Sequence, residues 1–103
     1  MERILKYQVK VADRTLIPIP GLIKCLKIAR QKGVQPSDNL MLWALVQSEC
    51  KTETPIIDIP LYIVGTGWEV SDLNEKYFVD TVFCNSFVWH IFTSNFYKQY
   101  WIK

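Results

Sequence analysis

Leu5-Lys6-Tyr7-Gln8-Val9-Lys10-Val11 alternates between apolar and polar side chains without a break. Successive side chains of an extended chain point to opposite faces, so this period of two describes a strand with one buried and one wet face. The same reading extends outward. Ala12-Asp13-Arg14 is a tight turn, and Thr15 to Ile19 is a second extended run. Pro18 and Pro20 have no N–H to donate, so that run belongs at a sheet edge or leaves the sheet there. Pro20-Gly21 then marks another turn. Leu40 to Gln47 is apolar almost throughout and reads as a strand covered on both faces. Ile57, Ile59, Leu61 and Ile63 alternate with Asp58, Pro60, Tyr62 and Val64, and Gly65-Thr66-Gly67 ends that strand. Pro60 must lie where no ladder bond is donated. Tyr77 to Phe83 and Phe87 to Thr93 form a hairpin about a turn at Cys84-Asn85-Ser86. Lys32 to Asn39, Ser48 to Thr54 and Trp68 to Lys76 are polar and irregular.

Gly21 to Gly33 resists this reading. Leu22, Cys25, Leu26 and Ala29 share one helical face while Lys24, Lys27 and Gln31 share the other, and Gly33 suits a helix C-terminus. As a strand, Leu22, Leu26 and Ile28 share a face into which Lys24 intrudes. Periodicity taken alone leans slightly to the helix. The rest of the chain gives short strands at spacings of about ten residues, the pattern of a small antiparallel β-sandwich or open barrel. The expected fold is mainly β, with six to seven strands over residues 1–95 and an aromatic C-terminal tail at 96–103. The expected core is Tyr7, Val9, Leu26, Trp43, Leu45, Ile59, Leu61, Ile63, Val79 and Trp89.

Composition bounds the chemistry. The 103 residues are half hydrophobic, and 14% are aromatic. A domain of this size can bury roughly two-thirds of its unfolded surface and needs no metal to hold a core. Lys and Arg number 12 against 10 Asp and Glu, a net charge of +2. The basic residues are scattered, with Lys24, Lys27, Arg30 and Lys32 the nearest to a cluster, so there is no strong nucleic-acid signal. Cys25, Cys50 and Cys84 are odd in number and lack a CxxC pair, which argues against a disulfide framework and for a reducing compartment. One histidine and three dispersed cysteines do not make a zinc site. No metal and no cofactor is expected. The start of the chain has no signal-type apolar run and no stretch is long enough to span a bilayer, so a soluble intracellular protein with no membrane association is expected.

The motifs carry little catalytic content. His90 is the single histidine and sits inside a strand with no nucleophile elbow or partner motif nearby. Gly65-Thr66-Gly67 lacks the Gly-Lys-Ser/Thr of a phosphate loop and no helix follows it. Its ordinary role is to let the chain turn, although its N–H groups could form an anion nest. Asp72, Glu75 and Asp80 have no metal or glycosidase spacing. No catalytic residue is assigned, and the chain is read as a non-enzyme.

Aromatic side chains say more about binding. Trp43 and Trp89 fall within apolar strands and read as core. Trp68 follows the glycine turn on a loop, where it can anchor a partner or cap the end of the core. Tyr97, Tyr100 and Trp101 are too many aromatics for a free tail; they dock on their own chain or, by strand addition, on a second subunit. The candidate binding residues are therefore Trp68, Tyr97, Tyr100, Trp101, Gly65, Thr66 and Gly67.

The order of Ile4-Leu5-Lys6-Tyr7, Ile17-Pro18-Ile19-Pro20-Gly21, Leu42-Trp43-Ala44-Leu45-Val46, Ile63-Val64-Gly65-Thr66-Gly67, Tyr77-Phe78-Val79-Asp80-Thr81 and Phe87-Val88-Trp89-His90-Ile91-Phe92 resembles a group of short uncharacterised bacteriophage and prophage proteins. The likeness runs to about Thr93. Lys32 to Asn39 looks longer than in that group, and the tail beyond Asn95 looks extra. The resemblance implies a strand over Leu22 to Ala29, and a phage accessory protein in the bacterial host cytoplasm. It implies no activity. The leading expectation is a phage-encoded binding protein directed at a host protein, such as a component of antiviral defence. An oligomeric binder that sequesters a small molecule or nucleotide signal is the alternative, prompted by Gly65 to Gly67 beside Trp68. A virion or assembly role stays open.

Overall fold

The computed structural model describes residues 1–31, 40–47, 54–84 and 87–102. Among the described residues there are seven strands: β1 (Glu2–Gln8), β2 (Arg14–Pro20), β3 (Leu22–Arg30), β4 (Leu40–Gln47), β5 (Ile56–Gly65), β6 (Lys76–Cys84) and β7 (Phe87–Ser94). They form two antiparallel sheets, one of three strands in the order β1-β4-β3 and one of four in the order β2-β5-β7-β6. Short 3-10 segments lie at Leu73–Glu75 and Asn95–Tyr100. Among the described residues, no helix is long and apolar enough to cross a membrane. The expected turn at Cys84-Asn85-Ser86 falls partly, and the loop at 32–39 wholly, outside the described residues.

One core lies between the sheets. Val9, Cys25, Ile28, Leu42, Ala44 and Val46 meet Ile17, Ile19, Ile59, Leu61, Ile63 and Ile91 there. The sheets obey the constraints their sequences impose. β2 is an edge strand, which is where Pro18 and Pro20 can sit without breaking a ladder. On β5, pairing with β7 starts only at Tyr62, beyond Pro60. The Pro60 carbonyl instead accepts a 2.7 Å bond from the buried Thr93 hydroxyl.

Two expectations about the core need correction. Trp43 and Leu45 are half-buried on the outer face of β4, because Leu40, Leu42, Ala44 and Val46 take the inner one. Seven successive apolar residues, Leu40 to Val46, hide the phase of the strand, so either face could have been inward. Leu26 lies at a bulge in β3, half-buried and outside the core cluster. Tyr7 and Trp89 are partly buried and pack against the core, while Val9, Ile59, Leu61, Ile63 and Val79 are inside it.

Residues 22–30 are strand, and the helix-like spacing has a local cause. Register shifts between Leu22 and Lys24 and between Cys25 and Lys27 each insert an extra residue. The positions opposite Val46, Ala44 and Leu42 on the inner face of β4 therefore become Leu22, Cys25 and Ile28. Their spacing of three mimics a helical stripe.

Cys25 is fully buried, and burial pushes its thiol up to about 12 against a weaker downward pull from Lys24. The buried side chain should resist alkylation in the folded protein and react in urea, as read by peptide-resolved mass spectrometry. Folding raises this group's affinity for its proton. Its contribution to stability is therefore complete below the unfolded value of about 8.5 and declines as pH climbs toward 12. Urea midpoints measured at pH 8 and pH 10.5 should show that decline, and Cys25→Ala should weaken the dependence.

Candidate functional site

β5 ends at Gly65, and the Trp68 N–H returns to the Gly65 carbonyl at 3.1 Å to close a four-residue turn. Gly67 occupies the third position with φ 89°, a conformation that a type II turn takes at that place and glycine adopts without strain. Gly65 is required for a different reason. A Cβ there would stand 2.9 Å from Cε2 of Trp68, whose indole lies across the glycine. The turn thus folds Trp68 back onto the end of its own strand.

β7 begins beside this turn, with Trp89 opposite Gly65 in the ladder. Phe87 and Trp89 are two apart, share a face, and stack with centroids 5.5 Å apart at 11°. Trp68 meets Trp89 edge-on at 5.8 Å and 71°. Gly65, Thr66, Trp68, Phe87, Val88 and Trp89 enclose a cleft of about 280 Å³. Its aromatic rim stays open to water: Trp68 is 57% and Phe87 61% exposed.

His90 stands next to the cleft. Its Nε2 bonds the Thr66 hydroxyl at 2.8 Å, and its Nδ1 bonds the Thr81 hydroxyl at 3.0 Å. Two hydroxyls fix the ring and tie the turn to β6 and β7. A catalytic imidazole is normally oriented by a carboxylate; here both ring nitrogens are occupied by threonines.

Trp68 also lines a second cavity of about 390 Å³, together with Asp13, Arg14, Tyr62, Glu69 and Lys76. The Lys76 ammonium donates to the Ser71 carbonyl at 2.5 Å and lies 4.7 Å from the centre of the Tyr62 ring. Two cations and two carboxylates share this wall. Among the described residues, no cluster of His, Cys, Asp or Glu could hold a metal ion.

The structure brings Gly65, Thr66, Gly67 and Trp68 together and separates them from the other three candidates. Tyr97 and Tyr100 follow the far end of β7, about 23 Å along the strand from Phe87 at roughly 3.3 Å per residue. Both pack against the core. Trp101 is only 6% exposed and belongs to the core cluster itself, so its ring is not offered to a partner. Phe87 and Trp89 are not candidates from sequence alone, since both fall in an apolar strand segment and Trp89 reads as core. The available signal was their shared face beside a glycine turn.

Comparison with known proteins adds one finding. A family model described as a domain of unknown function, DUF7352, matches residues 1–99. No curated protein and no solved structure matches the chain.

Proposed function

The chain belongs to the DUF7352 family of domains of unknown function, and on its own geometry we propose that it is a non-enzymatic binding domain that takes a protein partner at the Trp68 cleft. The exposed Trp68, held over Gly65 and backed by Trp89 and Phe87, carries this reading. Trp is enriched at the energetic centres of interfaces because one rigid ring buries a large area at little entropic cost. The cleft volume of about 280 Å³ is below the ~300–1,000 Å³ of small-molecule pockets and suits a single inserted side chain. The threonine-held His90 supports a binding role over a catalytic one.

The resemblance to phage and prophage proteins supplies the finer proposal: the partner is a bacterial host protein, a component of antiviral defence, met in the host cytoplasm. The test is quantitative capture from a lysate of that host with wild type and with Trp68→Ala. Truncating a central anchor weakens a complex by about 2 kcal/mol or more, roughly thirtyfold. A host protein should therefore be retained by wild type and lost from the variant, with little change in the variant's melting curve. Equal retention by both would refute the cleft as the contact.

A second reading, sequestration of a small anionic ligand, is favoured only by the 390 Å³ cavity that carries Arg14 and Lys76. Asp13 and Glu69 on the same wall weigh against it. The absence of a thermal shift with every member of a nucleotide panel would remove it.

A further inference from the structure

Lys6, Trp43 and Lys27 are far apart in sequence but form one cross-strand row. Lys6 pairs with Trp43 across β1 and β4, and Lys27 pairs with Trp43 across β3 and β4. The adjacent row is Ile4, Leu45 and Lys24, and the next is Gln8, Met41 and Ala29. These rows occupy the outer face of the three-stranded sheet, since the alternate residues Leu42, Ala44 and Val46 are fully buried beneath it. The Lys6 ammonium reaches across to Gln31 Oε1 at 2.8 Å, which places it over this face, and Lys27 is exposed. Lys24 reaches the Gln99 carbonyl at the β3 edge.

Charge divides between the two sheets. β1, β3 and β4 together carry five cations against one acid; by register the outer face holds Lys6, Lys24 and Lys27 against Glu2, while Arg3 and Arg30 stand in the inner rows of Val46 and Leu40. The four-stranded sheet carries Arg14 and Lys76 against Asp58 and Asp80. The small net charge of the chain hides this one-sided distribution.

We propose that the outer face of the three-stranded sheet binds single-stranded nucleic acid, with a base stacked on Trp43 and phosphates neutralised by Lys6 and Lys27. A half-buried aromatic ring on the outer face of a sheet between cations suits an unstacked base, since every base has a face to stack and a phosphate beside it. A duplex keeps its bases stacked on one another and offers nothing to Trp43. Two or three lysines also neutralise too few phosphates for strong duplex binding. An acidic protein would use the lysines but gain little from stacking on the ring.

The test is fluorescence anisotropy with labelled 15-nucleotide oligothymidylate and oligouridylate at low salt. At least one should bind. Trp43→Ala should weaken binding roughly fivefold to a hundredfold, and Trp43→Phe should restore much of it. Lys6→Gln with Lys27→Gln should lower the slope of log affinity against log salt by about 1.4, the value for two contacts to a single strand. Each variant's melting curve reports whether it folds, and the lysine pair keeps the test decisive if Trp43→Ala does not. No binding of either oligonucleotide overturns the proposal. So does equal affinity for a duplex, or polyglutamate binding with the same dependence on Trp43.

Discussion

Trp101→Ala should lower the unfolding free energy by about 3–5 kcal/mol, the range for deleting a large buried aromatic from a packed core. A domain of this size has about 5–15 kcal/mol in total, so from about a fifth to nearly all of its stability rests on this ring. Trp101 pairs with Cys25 in a parallel bridge, and the Ile102 N–H donates to the Cys25 carbonyl at 3.1 Å. Lys24 donates to the Gln99 carbonyl on the same segment. The tail therefore adds to the β3 edge, and Trp101 enters the core where the edge strands β3 and β6 approach each other. An uncovered strand edge next to apolar side chains is also a template for aggregation. Ending the chain at Asn95 should then be at least as harmful as the point substitution. Phe96→Ala is the contrast: Phe96 is 75% exposed, and its loss should change stability by no more than about 0.5 kcal/mol. Urea titration decides the matter. A loss below 1 kcal/mol for Trp101→Ala would mean that the tail is not part of the core.

Gly21→Ala should be comparably severe, for a backbone reason. Gly21 has φ 68°, a left-handed conformation that costs a residue with a Cβ about 1–2 kcal/mol. The added carbon would also lie 2.3 Å from the Gln47 carbonyl oxygen, which as main chain cannot swing aside. Gly21 donates to the Pro55 carbonyl at 2.9 Å and accepts from the Gln47 N–H at 2.8 Å. It joins the end of β2 in one sheet to the start of β3 in the other, beside the end of β4. Overpacking adds about 1–3 kcal/mol, so the total is about 2–5 kcal/mol, and each kcal/mol lowers the melting temperature of a domain this size by about 4–8 °C. A fall of more than about 10 °C is expected. Gly67→Ala separates strain from collision, because Gly67 has φ 89° with nothing within 4 Å of its would-be Cβ. It should show only the strain, with a fall of about half that size or less.

Alternation in β1 and β5, and prolines that only an edge or an unpaired position can accept, made the β-sandwich legible in the sequence. β3 was misleading because its two bulges change the inward spacing from two to three. Unaided periodicity cannot distinguish a bulged strand from a short helix. β4 hid its phase because both faces are apolar, and Trp43 consequently passed for core. The Gly65-Thr66-Gly67-Trp68 turn was legible as a binding candidate, since glycines and an unplaced Trp stood together. Phe87 and Trp89 joined it only through the pairing of β5 with β7, a contact between residues more than twenty apart. The basic face was out of reach for the same reason: register, not sequence proximity, gathers Lys6 and Lys27 about Trp43.

The four tryptophans sit in different surroundings: Trp43 on the three-stranded sheet, Trp68 and Trp89 at the cleft, and Trp101 in the core. Fluorine NMR of 5-fluorotryptophan-labelled protein, titrated with the captured host protein, therefore reads the contact site directly. The Trp68 and Trp89 resonances should shift on binding while those of Trp43 and Trp101 stay in place. A partner that shifts Trp43 and leaves Trp68 untouched would contradict binding at the cleft.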